Sequence, residues 1–527
     1  MLLRSAGALL GGVALTCAYE PVGLAVLLPV GVGFFLASVV GLGGRRAAWV
    51  GLVFGVTHFF SLLYWMRAVG TDAWIALSAA EAAFMVPLAV VVALVARLRW
   101  WPVWVTAAWV AVETVRGAWP FSGMPWGRLS FAVAGTPWAD ALVWFGFTGV
   151  SLLICGTAAW AVWCLRDGRK HRRTALATGL VLAATTLLPS VVGFVLPETG
   201  TARIATVQGD VPGSGDDLLA VHREVTASHV ALTEQLGAEI EAGDTAPVDA
   251  VLWPENSTAV DPFTDPRTRL GIESAVEAVD APVLVGAMVD APGPDHVLNQ
   301  GVVWSPGTGG GDRYSKRHPV PFGEYIPWRD TVFTRPFGKL RMIPRDMLSG
   351  TRLTPLRLGD LRIADAICFD VAYDDGIHAQ VLRGADLVTV QTSNAMFINT
   401  HQIEQQFEIS RLRAQETGRW VVVAAVNGVS GVVAPDGTVV SRAGTRTRQV
   451  LVDEVGLVSR VTPAVRLGAW PGRLSILVTV LALAGALLAR RRAARSAARP
   501  HPAPTTVGDA PHRDGTEPPG QHDEGTT

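Results

Sequence analysis

At 527 residues, 50% of them hydrophobic and only 17% charged, with a mean hydropathy of +0.33, the chain is too apolar for an ordinary soluble protein of its length. Its 44 Lys and Arg against 45 Asp and Glu leave a formal net charge of −1. That balance, with no basic face and no zinc-ligand spacing, argues against nucleic acid as a partner.

Apolar runs with few charges occupy roughly 7–19, 22–42, 47–66, 73–96, 102–118, 140–165 and 174–195, and another lies at 472–489. A helix rises about 1.5 Å per residue, so about 20 residues cross the hydrocarbon of a bilayer. The first run is short and follows Arg4, as a signal peptide would. Its end at Thr16-Cys17 is a poor cleavage pattern and another run follows at once, so it reads as a retained helix. Eight spans are therefore expected, seven before a polar half and one after it. Arg4, Arg45-Arg46, Arg97 with Arg99, the run from Arg166 to Arg173 and Arg490-Arg491-Arg492 fall in alternate loops. Placing them in the cytoplasm puts both termini inside and the 200–470 region on the outer face. Thirteen of the 18 Trp precede residue 200, many near span ends, as an interfacial aromatic belt requires. Within the fifth run, Glu113 and Arg116 share a helix face ahead of Gly123-Met124-Pro125-Trp126. They are either a structural pair that locks helix packing or a functional pair.

From about residue 200 the pattern becomes α/β. Strand-like runs occur at Ala202–Val207, Ala250–Trp253, Pro282–Val289, Gly301–Trp304, Leu361–Ile367, Leu387–Gln391 and Trp420–Val426. Val429–Ala434 and Gly437–Val440 flank Pro435-Asp436 as a hairpin would. Helical patterns fill Leu218–Ala242, Arg269–Val279 and His401–Thr417. Alternating strands and helices predict a layered α/β domain over 200–465. The tail over 490–527, rich in Ala, Arg, Pro, Gly and His, reads as a disordered cytoplasmic segment.

Cys17, Cys155 and Cys164 lie in apolar runs, which leaves Cys368 alone in the polar half and without a disulfide partner there. It ends the strand Ile363–Ile367, and turn-prone Asp374-Asp375-Gly376 leads into a helical pattern near Ile377. A nucleophile often occupies such a strand-to-helix turn, although a lone cysteine can equally be a small buried hydrophobe. Glu255 follows the strand Val251-Leu252-Trp253, and Lys316 precedes the loop Pro319–Tyr325. A carboxylate can take the thiol proton, and an ammonium can stabilise a thiolate or an oxyanion.

Trp253-Pro254-Glu255, Lys316 and Ile367-Cys368-Phe369-Asp370 together resemble the nitrilase superfamily, whose catalytic set is Glu, Lys and Cys in that chain order. Glu324 matches a second glutamate of that superfamily, and Arg413–Arg419 and Asn427–Gly431 look like its closing helix and strand. With seven apolar runs before this region and one after it, the chain resembles the apolipoprotein N-acyltransferase family over roughly residues 5–490. The Glu113–Trp126 segment is similar to that family's membrane signature. Phe369-Asp370 stands where the enterobacterial form has Tyr-Glu, and Ser393–Phe397 differs from the usual Trp-Phe-containing loop.

The resemblance implies an α-helical multi-pass membrane domain over 1–196 and an extracytoplasmic αββα sandwich. It implies transfer of a fatty acyl chain from a phospholipid, through a thioester on Cys368, to the amine of an S-diacylglyceryl cysteine on a lipoprotein. Glu255 is implied as the base and Lys316 as an oxyanion partner, with Glu324, Phe369 and Asp370 in support. No metal or organic cofactor is expected, since the acyl group arrives activated as an ester. Two rival readings share these features. One is a membrane-tethered nitrilase-type amidase, in which water resolves the thioester and a single span would suffice. The other is a non-enzymatic binding protein or transporter, for which only Glu113 and Arg116 give a hint.

Overall fold

The computed structural model describes residues 1–213, 218–333, 335, 338–497 and 515. Each of the eight apolar runs folds as a helix: α1 (Leu2–Thr16), α2 (Leu27–Val39), α3 (Gly44–Leu62), α4 (Thr71–Val95), α5 (Trp101–Arg116), α7 (Leu142–Asp167), α8 (Arg172–Val192) and α14 (Trp470–Ala497). A single turn, α6 (Pro137–Asp140), precedes α7. Among the described residues, α4, α7, α8 and residues 470–492 of α14 are long and apolar enough to cross a membrane; α1 and α2 are apolar but shorter. Small residues bring α3 and α4 together. A Cβ at Gly51 would lie 2.3 Å from the Met85 carbonyl oxygen, and one at Gly55 would lie 2.7 Å from that of Ala82. Tight approach of this kind substitutes van der Waals contact for the hydrophobic drive that lipid does not supply. α14 extends beyond the expected span end at 489 because Ala and Arg, both strong helix formers, continue the sequence. The rest of the expected tail lies outside the described residues, apart from 515.

The polar half holds two sheets. Among the described residues the first runs β13-β1-β2-β3-β4-β5, with β6 beside β4: β1 (Gly200–Gln208), β2 (Ala250–Leu252), β3 (Val283–Asp290), β4 (His296–Ser305), β5 (Gly309–Ser315), β6 (Asp346–Met347) and β13 (Gln449–Leu457). The second runs β12-β11-β10-β9-β8-β7: β7 (Leu356–Leu358), β8 (Leu361–Ile367), β9 (Leu387–Thr392), β10 (Val421–Ala425), β11 (Gly431–Val433) and β12 (Val439–Arg442). In each, three adjacent strands (β1-β2-β3 and β8-β9-β10) are parallel and the flanking pairs antiparallel. β11 and β12 form the expected hairpin.

Alternate residues of each strand meet in the layer between the sheets. Ile204, Leu252 and Leu284 face Ile363, Ile367 and Val422 there. α9 (Leu218–Glu241) and α10 (Pro266–Val279) cover the first sheet, and α11 (Asp374–Leu382) and α12 (Gln402–Thr417) cover the second. The result is an αββα sandwich. The short helix α13 (Pro463–Leu467) packs on α7 before α14 returns to the other membrane helices. One apolar core runs from the membrane helices (Phe54, Trp109, Phe147) through Trp126 and Phe131 to Phe369, Phe407 and Leu412 of the sandwich. The second sheet's helical layer therefore packs directly on the membrane part.

Candidate active site

Three strand ends converge where the two sheets meet. Glu255 follows β2 by three residues, Lys316 follows β5 directly, and Cys368 follows β8 directly. Cys368 has φ +53°, a conformation that costs a non-glycine residue free energy and lifts its side chain out of the strand line. The turn Cys368–Ala372 then feeds α11.

Both oxygens of the Glu255 carboxylate accept hydrogen bonds, and Oε2 keeps room for one more. Oε1 accepts from Lys316 Nζ at 3.0 Å and from Asn299 Nδ2 at 2.7 Å, and Oε2 accepts from the Ser393 backbone N–H at 2.9 Å. Lys316 also donates to Glu324 Oε1 at 2.6 Å, and the Val320 N–H holds the other oxygen of Glu324 at 2.8 Å. Glu255 and Lys316 are 3% and 1% exposed, so this ammonium sits between two carboxylates with almost no water. Burial alone would lower the Lys316 pKa, but Glu255 and Glu324 more than reverse it, and the group stays cationic far above neutrality. Burial raises Glu324 against the pull of Lys316. Burial, with the charge of Glu255 adding to it and that of Lys316 opposing, pushes the Cys368 thiol up to about 12. Cys368 therefore rests as a thiol, and any attack by its sulfur would require a base beside it.

Asp370 has a different environment. Its oxygens accept from Tyr314 Oη at 2.9 Å and from the backbone N–H groups of His318 at 2.8 Å, Arg317 at 3.1 Å and Ile367 at 3.4 Å. It clamps the segment after Lys316 to the turn of Cys368. Phe369 faces the membrane part: its ring stacks on Trp126 at 6.2 Å and meets Tyr373 edge-on at 5.1 Å. Trp126 is buried, donates from Nε1 to Gln405 at 2.8 Å, and packs against Trp65, which in turn meets Phe397. Trp126 is thus a buried joint rather than an interfacial anchor.

Some partners were not evident in the sequence. Arg116 pairs with Glu81 of α4 at 2.5 Å and donates to the carbonyls of Met124 and Trp126, whereas Glu113 accepts from the Leu129 N–H. A single acid within the apolar run of α4 is the signal that would have identified Glu81. Arg128, Asp374, Arg413, Glu416 and His378 form a further cluster. Asp374, His378 and Glu416 are close enough to hold a cation, but two guanidinium groups already neutralise the carboxylates.

A back-to-back αββα sandwich with Glu, Lys and Cys at the ends of its strands defines a protein of the carbon–nitrogen hydrolase class, and residues 204–461 match the carbon-nitrogen hydrolase family. Residues 11–160 match the apolipoprotein N-acyltransferase N-terminal domain. An apolipoprotein N-acyltransferase of Mycolicibacterium smegmatis is 32% identical over 464 residues, which is 82% of this chain and 75% of that one. Another, of Ralstonia nicotianae, is 30% identical over 477 residues, covering 85% and 86%. The chain belongs to the apolipoprotein N-acyltransferase family.

Proposed function

We propose that this enzyme N-acylates lipoproteins through a thioester on Cys368. The observation that carries the reading is the 3.0 Å contact of Lys316 with Glu255 beside the strained Cys368 turn. Glu255 takes the thiol proton as Sγ attacks the ester carbonyl of a phospholipid. Lys316 and a backbone N–H near Phe369 hold the oxyanion. Collapse breaks the ester C–O bond, and the proton returns from Glu255 to the departing lysophospholipid oxygen. The neutral amine of a diacylglyceryl-modified apolipoprotein then attacks the thioester and gives its proton to Glu255. The amide forms, and the Cys368 sulfur leaves and is reprotonated. Glu324 orients Lys316, Asp370 holds the Lys316 segment against the nucleophile turn, and Phe369 borders the acyl path.

Residues 1–196 and 472–489 form the membrane domain of eight spans, with both termini cytoplasmic and residues 200–465 on the outer face of the cell membrane. The Arg distribution among the loops supports this orientation. Donor and acceptor are both lipid-anchored, and the packing of Phe369 on Trp126 sets the nucleophile turn against the membrane part, where both substrates lie.

Intact mass spectrometry after exposure to phospholipid vesicles tests the scheme. One acyl chain is expected on Cys368, removable by neutral hydroxylamine, absent in Cys368→Ala, and passed to a diacylglyceryl peptide amine. An adduct lost only to water would instead make the protein a lipid hydrolase, and no adduct with any phospholipid would refute the donor.

A further inference from the structure

Beneath the site, the layer between the sheets contains an acid. Asp365 lies on the inward face of β8 with Leu361, Ile363 and Ile367 and is completely buried. Thr389 Oγ1 donates to Oδ1 of Asp365 at 2.7 Å, and Oδ2 of Asp365 has no partner among the described residues. Gln391, also buried, has an unpartnered Oε1. Both lone oxygens point at Gly301 of β4, each 2.5 Å from where a Cβ of residue 301 would lie. The Gln391 amide cannot be turned to repair this. Its Nε2 donates to the Trp253 carbonyl at 2.6 Å, and a flip would set two carbonyl oxygens against each other there.

Two buried acceptors that converge on one glycine without a partner are both satisfied by a single shared hydrogen. We propose that Asp365 is held as the neutral acid and donates its carboxyl hydrogen to Gln391 Oε1, making it a positioning residue for Glu255. The chain runs Asp365 to Gln391 to the Trp253 carbonyl, two residues before Glu255. It continues from Gln391 along the backbone to Ser393, whose N–H holds Glu255 Oε2. The proton thus ties β8 and β9 of one sheet to the end of β2 in the other. Burial, against the Thr389 bond and with the charge of Asp370, pushes Asp365 up to about 7. Tyr314, Asp370 and Cys368 are the titratable groups facing this layer; the first two are bonded to each other, and burial keeps the thiol of the third neutral at the pH of the test. The catalytic consequence rests on Glu255 being the base; the protonation does not.

The test uses the full-length enzyme with Asp365→Asn and Asp365→Leu. In infrared difference spectra the wild type should show the carbonyl stretch of a protonated, hydrogen-bonded carboxylic acid that vanishes as pH rises through about 7 and is absent in Asp365→Asn. An acid raised in the folded state contributes stability at low pH that is lost as pH rises through its folded pKa. The Tm of the wild type should therefore fall relative to Asp365→Asn between the ordinary carboxylate range and about 7, and run level with it above that. Asn can keep both bonds and should retain kcat, whereas Leu leaves Gln391 orphaned and should lower kcat roughly tenfold with little change in KM. A missing acid band, or a Tm difference flat with pH, would mean an ionised Asp365 bridged in some other way and would overturn the proposal. If Leu prevents folding, the band and the Asn variant still decide. If no variant and no wild type transfers acyl groups, the functional reading fails while these two readouts stand.

Discussion

Arg128 and Asp374, 246 positions apart in the chain, meet in a bidentate ion pair with contacts of 3.0 to 3.2 Å. Arg128 belongs to the segment between the fifth and sixth helices of the membrane part, and Asp374 begins α11, six residues after Cys368. Arg413 adds a second guanidinium to Asp374 at 2.9 Å and donates from Nε to the Val371 carbonyl within the Cys368 turn. The membrane part therefore grips the turn that carries Cys368.

Arg128→Ala should remove one of the two cations on Asp374. Breaking a buried pair by deleting one partner costs about 3 kcal/mol, the low end of the usual range because the Asp374 carboxylate is 28% exposed. The expected result is a lower Tm in detergent and slower acyl transfer. The Arg128→Ala, Asp374→Asn double variant should lose less than the sum of the singles. Strict additivity would mean that the two residues act independently.

Acid should loosen the same joint. Burial opposes ionisation of Asp374, but Arg128 and Arg413 override it and hold the carboxyl well below the usual carboxylate range. A group depressed in this way contributes stability that is present above the ordinary carboxylate pKa and lost as pH falls toward its folded value. Thermal melts of the wild type should thus fall steeply below the ordinary carboxylate range. Asp374→Asn should be less stable at neutral pH and show a shallower acid limb; an unchanged limb would remove Asp374 from the account.

The aromatic stack makes a separate prediction. Trp126→Ala opens a void against Phe369 and Trp65, a change that costs about 3–5 kcal/mol at a buried aromatic. Trp126→Phe keeps a ring on Phe369 but loses the Gln405 bond and part of the indole volume, so it should cost about 2 kcal/mol, less than Ala. Formation of the acyl adduct, followed by intact mass over time, should slow markedly in Ala and little in Phe. Equal slowing would assign the effect to the hydrogen bond.

Much of this was legible in the sequence, for identifiable reasons. β10 is an unbroken apolar run, and β8 and β9 carry enough apolar residues (Leu361, Ile363 and Ile367; Leu387, Val388 and Val390) to read as strands, because both faces of a central parallel sheet are buried; Cys368 was conspicuous as the residue that directly follows one of them. β5, Gly309–Ser315, was not legible: three glycines and alternating polar residues mark an edge-like strand whose pairing to β4 is set by tertiary contact. β13 starts in a polar stretch and was missed for a similar reason, since its partner β1 lies some 250 positions earlier. Glu113 and Arg116 share a helix face as their spacing implied, yet Arg116 pairs across to α4, because spacing within one helix says nothing of what a neighbour offers. The Asp370 clamp was equally hidden: three of its four donors come from β5 and the segment that follows it.

The protonation state of Cys368 bears most directly on the chemistry. With its thiol pushed up to about 12, the thiolate fraction should keep rising with pH through the neutral and mildly alkaline range. Alkylation of the wild type by iodoacetamide should therefore be slow at neutral pH and climb without a plateau as pH is raised. The alternative is a cysteine activated in advance as a thiolate by Lys316, which would alkylate quickly and independently of pH. Glu255→Gln separates the two further. It removes the negative charge that most raises the thiol together with the proposed base, so the thiol should ionise more easily and alkylate faster, while acyl transfer, which needs a proton acceptor, should collapse. Faster alkylation with lost transfer would mark Glu255 as the base. Slower alkylation would mean that Glu255 serves mainly to hold Lys316 toward the sulfur.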